Sequence, residues 1–127
     1  MKKSLAVPLA VLGVILAFAL WNSRCVTAET DRWREQLRQA ELLAQAGEWE
    51  QAAAALSDSY GDWAARQTYL HIVAEHDAID GAESMYRRAM AFAATEELSE
   101  FRAELADLRD QLRLLAEMEK FSIGNVL

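Results

Sequence analysis

The chain has 127 residues with one cysteine, and its composition gives a formal net charge of −7. This length allows one small domain and an appendage, and a lone cysteine excludes an internal disulfide or a cysteine-based zinc site. All 20 acidic residues lie beyond Ala28, against 10 of the 13 basic residues (Lys2, Lys3 and Arg24 precede them), so this part carries a net charge of −10. Such a surface repels nucleic acid and anionic lipid, which argues against both as partners of the domain.

An uncharged run, SLAVPLAVLGVILAFALWNS, occupies residues 4–23. A helix needs roughly 17–25 apolar residues to cross a bilayer, so the run predicts a transmembrane helix, with the membrane as its partner. Basic residues precede the run and only Arg24 follows directly, which predicts a cytoplasmic N terminus and an extracytoplasmic remainder in the cell membrane. We therefore divide the chain into a stub, anchor and short linker (residues 1–28) and an extracytoplasmic helical domain (residues 29–127).

Two other interpretations of the apolar run remain open. Val26 and Ala28 suit cleavage of a secretory signal after Ala28, although the run is longer than the roughly 7–15 residues of a signal core. Cys25 suggests a lipoprotein, but Asn22 and Arg24 stand where small or apolar residues should precede a lipidated cysteine. An anchor is the favoured interpretation, and pairing of Cys25 with another chain is a further option.

The domain is rich in Ala, Leu, Glu, Arg and Gln and has no proline, which predicts an all-α fold. A first helix is predicted over residues 31–46, ended by Gly47, with an apolar face at Trp33, Leu37, Ala40 and Ala44. A second is predicted over residues 48–57, with Trp49, Ala53 and Leu56 on one side, followed by a turn at DSYGD. Similarity to half of a tetratricopeptide unit around Gly47 has no second copy at about 34 residues, so no repeat array is expected.

A third helix is predicted from Asp62 or Trp63 to about Ala94, because only Gly81 opposes it, at a cost of about 1 kcal/mol. Thr95 is expected to cap the free amides of a fourth helix. That helix has the 3-4 spacing of a packing seam, at Leu98, Phe101, Leu105, Leu108, Leu112 and Leu115. Short connections favour antiparallel neighbours, so we predict a transmembrane helix followed by a small antiparallel bundle of about four helices.

Both histidines fall in HIVAEHDAID, residues 71–80. On one continuous helix, the His71–Glu75 and His76–Asp80 pairs project about 140° apart, so they cannot share a metal ion. We expect His76 and Asp80 to face the interior as a structural polar pair, and His71 and Glu75 to face water. No nucleophile or second acid has a predictable place beside them, so no catalytic residue, metal site or cofactor is predicted.

The last seven residues, FSIGNVL, end the chain with an apolar segment made of Phe121, Ile123, Val126 and Leu127, with Asn125 among them. We expect the chain to leave the helix near Ser122 and Gly124 and to fold back over the bundle, with Asn125 bonding exposed backbone groups. The alternative is that these residues dock into a partner.

The motifs as a set resemble a known family. The apolar segment ending LW, the GEWEQA turn, Trp63, HDAID and the closing FSIGNVL are together similar to the uncharacterised bacterial family called domain of unknown function 4363. The resemblance covers nearly the whole chain, with departures at Gly81 and Gly124. It implies a small membrane-anchored helical protein without an assigned activity, and it supplies no catalytic residue.

Two functions are consistent with these observations. The first is a tethered, non-catalytic interaction module that serves as an accessory to another envelope protein, such as a polytopic one. The second is an extracytoplasmic domain that binds a small ligand or an envelope polymer, for which Trp33, Trp49 and Trp63 could form a pocket. An exposed apolar patch would favour the first function, and a concave site would favour the second.

Overall fold

The structure is a computed structural model and describes residues 2–66 and 76–126, without the side chains of residues 2, 3, 22, 23, 26 and 121–126. In this part the chain forms four α-helices and no strand. They are α1 (Lys2–Gln45), α2 (Trp49–Ala64), α3 (His76–Ala94) and α4 (Leu98–Val126). The predicted all-α class and the bundle of about four helices therefore hold in outline.

Helix α1 joins the apolar run and the first bundle helix without a break. The sequence suggested a linker before Asp31, but residues 24–30 are helical, since none of them is a glycine or proline. The 44 residues of α1 span roughly 66 Å at about 1.5 Å per residue. Within it, Ser4–Trp21 is long and apolar enough to cross a membrane, and none of that window is buried against the rest of the protein.

The boundaries of the middle helices differ from the predicted ones. Helix α2 continues through DSYGD to Ala64, so the turn predicted after Ser57 is wrong. A third helix beginning at Asp62 or Trp63 is also wrong, because α2 still includes both residues and α3 is first described at His76. Gly81 does not interrupt α3, as its small predicted cost implied.

The four helices pack in a ring, in which α1 and α3 each contact α2 and α4. The predicted core faces of α1 and α4 are confirmed, since Trp33, Leu37, Phe101 and Leu105 are buried, except that Leu98 of the predicted seam is exposed. On α2 the buried alanine is Ala52 rather than the predicted Ala53. These side chains join one hydrophobic cluster, and their removal from water is the main force that holds the helices together.

Two similar turns reverse the chain at the end of the bundle opposite the apolar run. After α1, Gly47 has φ +80°, and the amide of Glu48 donates to the carbonyl of Leu43 at 2.8 Å. After α3, Glu96 has φ +55°, and the amide of Glu97 donates to the carbonyl of Phe92 at 2.9 Å. This pattern is the Schellman motif, in which a left-handed residue ends the helix.

The role predicted for Thr95 is wrong as a result of this geometry. Its one hydroxyl proton is shared between the Glu97 carboxylate, at 2.8 Å, and the carbonyl of Ala91, at 3.2 Å, and neither acceptor is a free amide of α4. Thr95 therefore serves the carbonyl end of α3 rather than the amide end of α4.

Replacing Glu96 with glycine should raise the free energy of unfolding by about 1 kcal/mol, because a side chain in the left-handed region costs roughly 1–2 kcal/mol. The matched reverse change, Gly47→Ala, should lower it by a similar amount. Urea unfolding of the full chain in detergent, followed by circular dichroism, measures both. A Glu96→Gly variant less stable than the parent would contradict this account of the turn.

The two helical hairpins repeat one pattern of burial. Gly47 and Glu96 are 49 residues apart. Each buried residue from Thr30 to Trp63 also has a buried counterpart 49 residues later, between Ile79 and Leu112. Residue identity follows this repeat only in part: Ala40, Ala44 and Leu56 correspond to identical residues, whereas Trp33 corresponds to Ala82 and Ala52 to Phe101. At those two positions a large residue in one hairpin corresponds to a small one in the other.

The carboxyl end of α4 corrects another prediction. The helix continues to Val126, so the exit predicted near Ser122 and Gly124 is wrong. The side chains of residues 121–127 lie outside the described part, and their expected cover by the bundle stays a prediction.

Candidate functional site

The apolar run emerges from one end of the bundle, which we call the span-proximal end. It comprises residues 24–34 of α1, residues 59–64 of α2 with residues 65–66 that follow it, and residues 113–126 of α4. Polar contacts tie α1 to α2 there. Arg66 pairs with Glu29 at 3.0 Å, and Gln36 donates to the carboxylate of Asp62 at 2.9 Å. These contacts connect the end of α2 directly to the helix that carries the apolar run.

Helix α4 runs antiparallel to α1 along the full height of the bundle. Near its start, Arg102 and Arg109 contact the largely buried carboxylate of Glu41 at 3.1 and 3.3 Å. Near its end, Lys120 lines the same shallow groove as Thr27. The N-terminal part of the bundle segment of α1 therefore lies beside the C-terminal part of α4. The last turns of α4 thus approach the apolar run.

A buried polar link joins α1, α2 and α3 at this end. The Ser59 hydroxyl donates to the backbone carbonyl of Trp33 at 3.2 Å and lies 2.8 Å from the Tyr86 hydroxyl. Because the serine proton is used towards Trp33, the tyrosine is the donor in the second bond. Burial raises the pKa of Tyr86, which keeps its hydroxyl protonated as this bond requires.

Aromatic rings surround this link. Trp63 lies 5.4 Å from Tyr86 and 6.1 Å from Tyr60, measured between ring centroids, and Tyr60 contacts Tyr86 edge-on at 5.4 Å. Trp49 packs edge-on against Phe101 at the other end of the core. Two of the three domain tryptophans, Trp33 and Trp63, are buried, and Trp49 is partly buried against the core. All three therefore pack in or against the core in the described structure.

Ser59 and Tyr86 were not predicted from the sequence as a polar pair of the core. A signal for Ser59 exists: Ala52, Leu56, Ser59 and Trp63 follow 4-3-4 spacing, which places a serine on an otherwise apolar face. This face was not recognised, because the turn predicted at DSYGD ended the second helix before Ser59. Arg102 and Arg109 also carried a signal, because two arginines seven residues apart beside a packing seam can both reach a neighbouring helix.

The predicted interior position of His76 and Asp80 is wrong. Their side chains do pair, at 3.2 Å, but they are 73% and 54% exposed. The buried face of α3 is formed by Ile79, Ala82 and Tyr86, and the pair lies roughly 100–150° around the helix from its centre. The prediction failed because the face was drawn from Tyr69, Ile72 and Val73, which lie outside the described residues together with His71 and Glu75.

Replacing His76 with alanine should therefore change the free energy of unfolding by less than about 0.5 kcal/mol, as expected for an exposed ion pair four residues apart on a helix. The measurement is urea unfolding of the full chain at pH 6 and pH 8, with Asp80→Asn as the matched variant. A loss above about 1 kcal/mol in either variant would indicate a structural role for the pair.

The grooves between α1 and α4 are shallow and lined by charged side chains. The larger of them holds about 270 Å³ and is lined by Asp31, Arg34, Glu35, Arg38 and Arg109. Ligand pockets are usually larger and mostly apolar. Within residues 2–66 and 76–126, no three His, Cys, Asp or Glu side chains are grouped so that they could hold a metal ion.

The chain matches a family described as a domain of unknown function (DUF4363) over residues 20–126. The match covers the end of the apolar run and the described bundle, and the protein belongs to this family. Comparisons with curated proteins and with solved structures find no match.

Proposed function

We propose that this protein is a single-pass protein of the bacterial cell membrane, and that its helical bundle is a non-catalytic accessory module for another membrane protein. The observation that carries this proposal is the continuity of α1. Its first half is exposed and apolar, and its second half forms one side of the bundle. An unbroken helix couples the two parts mechanically, so a partner bound in the membrane would also set the position of the bundle.

The distribution of apolar surface favours a partner inside the membrane. On the described bundle, the large apolar side chains that stay exposed are Leu42, Leu98 and Leu114. Single exposed leucines are ordinary on soluble surfaces and do not make a docking patch. The other large apolar side chains that are exposed among the described residues belong to residues 5–21. A protein partner that binds through apolar contacts would therefore meet the apolar run, which suits a polytopic membrane protein.

The alternative functions have less support. A ligand-binding domain would need a concave apolar site, whereas the grooves between α1 and α4 are shallow and the domain tryptophans pack in or against the core. An enzyme would need a nucleophile or an acid–base pair in a cleft, and the exposed His76–Asp80 pair stands on an open helix surface.

Protease added to intact protoplasts tests the orientation. The positive-inside bias places the bundle outside, so the protease should remove it and leave a short membrane-bound fragment. Permeabilised cells serve as the control for accessibility. Full protection in intact protoplasts would reverse the proposed orientation, and a soluble product beginning at Glu29 would show cleavage after Ala28 instead.

Site-specific photocrosslinking in native membranes tests the proposed mode of interaction. A photoreactive residue in place of Val11, in the middle of the apolar run, should capture a discrete membrane protein identified by mass spectrometry. The matched control replaces Glu50, which is exposed at the opposite end of the bundle. Capture from position 50 alone would refute contact through the span, and capture of lipid alone from position 11 would refute the accessory role.

A further inference from the structure

The end of α4 lies level with the end of the apolar run. Thr27 and Lys120 line one groove, and the two helices run antiparallel with the same rise per residue. Six residues beyond Lys120 is Val126, and six residues before Thr27 is Trp21. Trp21 ends the apolar window and is 63% exposed. The backbone of α4 therefore reaches the depth at which an interfacial tryptophan would mark the membrane surface.

The residues that reach this depth are unusually apolar for a helix end. From position 121 onwards no residue is charged, and the segment is the FSIGNVL described above. Helix α4 is strongly charged up to Lys120 and then changes composition abruptly. The change coincides with the level of Trp21, which is the place where a helix would pass from water into the interfacial region.

The charges of the bundle are also distributed unevenly along its height. Within the residues that define it, the span-proximal end carries six basic residues against five acidic ones, so it lacks the acidic excess of the domain, and its exposed Arg24, Arg113 and Lys120 could meet lipid phosphates. The two turns at the opposite end, residues 45–52 and 94–101, carry five glutamates and no basic residue. The acidic excess that argued against lipid contact of the domain as a whole is thus placed away from the apolar run.

We propose that the last turns of α4, residues 121–126 with their apolar composition, form a second membrane contact at the interfacial region of the leaflet from which α1 emerges. The inference rests on the proposed membrane anchoring by α1. Two contacts on neighbouring helices fix the height and tilt of the bundle above the bilayer. With α1 as the single contact, the bundle would be free to rotate about that helix. The occupant is the phospholipid interface itself.

The test uses the full chain with Cys25→Ser, reconstituted in phosphatidylcholine vesicles and labelled with an environment-sensitive fluorophore on single introduced cysteines. The positions are Ile123→Cys for the tail, Ala10→Cys for the span and Ser99→Cys for the distal turn. The label at 123 should show blue-shifted emission and lose fluorescence with lipids that carry a quencher near the headgroup. The label at 99 should emit as in water and resist quenching.

Each other outcome overturns the inference in a distinguishable way. Emission at 123 like that at 99, with blue-shifted emission from the label at 10, refutes the second contact and leaves the anchor intact. Blue-shifted emission at 123 without quenching shows that the tail folds against protein instead. A label at 10 that emits as in water refutes the anchor itself. Val126→Cys repeats the tail measurement in case the label at 123 disturbs packing, and circular dichroism confirms that each variant is folded.

Discussion

Replacing Trp63 with alanine should lower the free energy of unfolding by about 3–5 kcal/mol, as large-to-small changes of buried tryptophans do. The side chain is fully buried and contacts Tyr60 and Tyr86, so its loss leaves a cavity among rings of α2 and α3. Small domains have only about 5–15 kcal/mol of total stability. The variant should therefore be close to unfolded at room temperature, which urea titration followed by circular dichroism can measure.

Trp21→Ala is the matched control for this substitution. Trp21 is 63% exposed and lies outside the hydrophobic cluster, so its removal should leave the unfolding of the bundle unchanged in detergent. A loss below about 1 kcal/mol for Trp63→Ala, or an equal loss for both variants, would contradict the placement of Trp63 at the centre of the core.

Replacing Ser59 with alanine should lower the free energy of unfolding by about 1–3 kcal/mol, because the Tyr86 hydroxyl would keep its buried position and lose its acceptor. Tyr86→Phe should cost less, since Ser59 would still donate to the carbonyl of Trp33. The double variant should lose less than the sum of the two single losses, as expected for residues in one hydrogen-bond network. Strictly additive losses would show that the two hydroxyls do not interact.

The same link predicts a response to alkaline pH. Burial raises the pKa of Tyr86 above its ordinary value of 10.0, whereas the unfolded chain would ionise near that value. The stabilising contribution is therefore complete below about pH 10 and is lost as the pH rises above it. Tyr86→Phe should show a smaller loss of stability between about pH 10 and pH 11 than the parent does.

Several features were predicted correctly from the sequence because they depend on residues that are close together in the chain. The apolar run was identified from an uncharged stretch of sufficient length, and the end of α1 at Gly47 from a residue that tolerates positive φ. The seam of α4 from Phe101 to Leu115 was evident from its spacing, and those seam residues are buried. The family resemblance is confirmed over residues 20–126.

Other features depend on contacts between distant residues and were predicted wrongly. DSYGD has the composition of a turn, yet α2 continues through it because Ser59 finds partners on α1 and α3. Glu96 adopts a conformation that its own preference disfavours, because the hairpin between α3 and α4 requires a left-handed residue there. His76 and Asp80 face water because the buried face of α3 is set by Tyr86 and its neighbours.

The sequence by itself determined the helical class, the apolar run and the faces of the long helices, because charge, length and periodicity act over a few turns of one helix. Only the tertiary structure decided where α2 ends, which side of α3 is buried and that α4 descends to the level of Trp21. These depend on the free energy of packing between residues far apart in the chain, such as Glu41 with Arg109. A local pattern carries no information about which distant side chain will supply the partner.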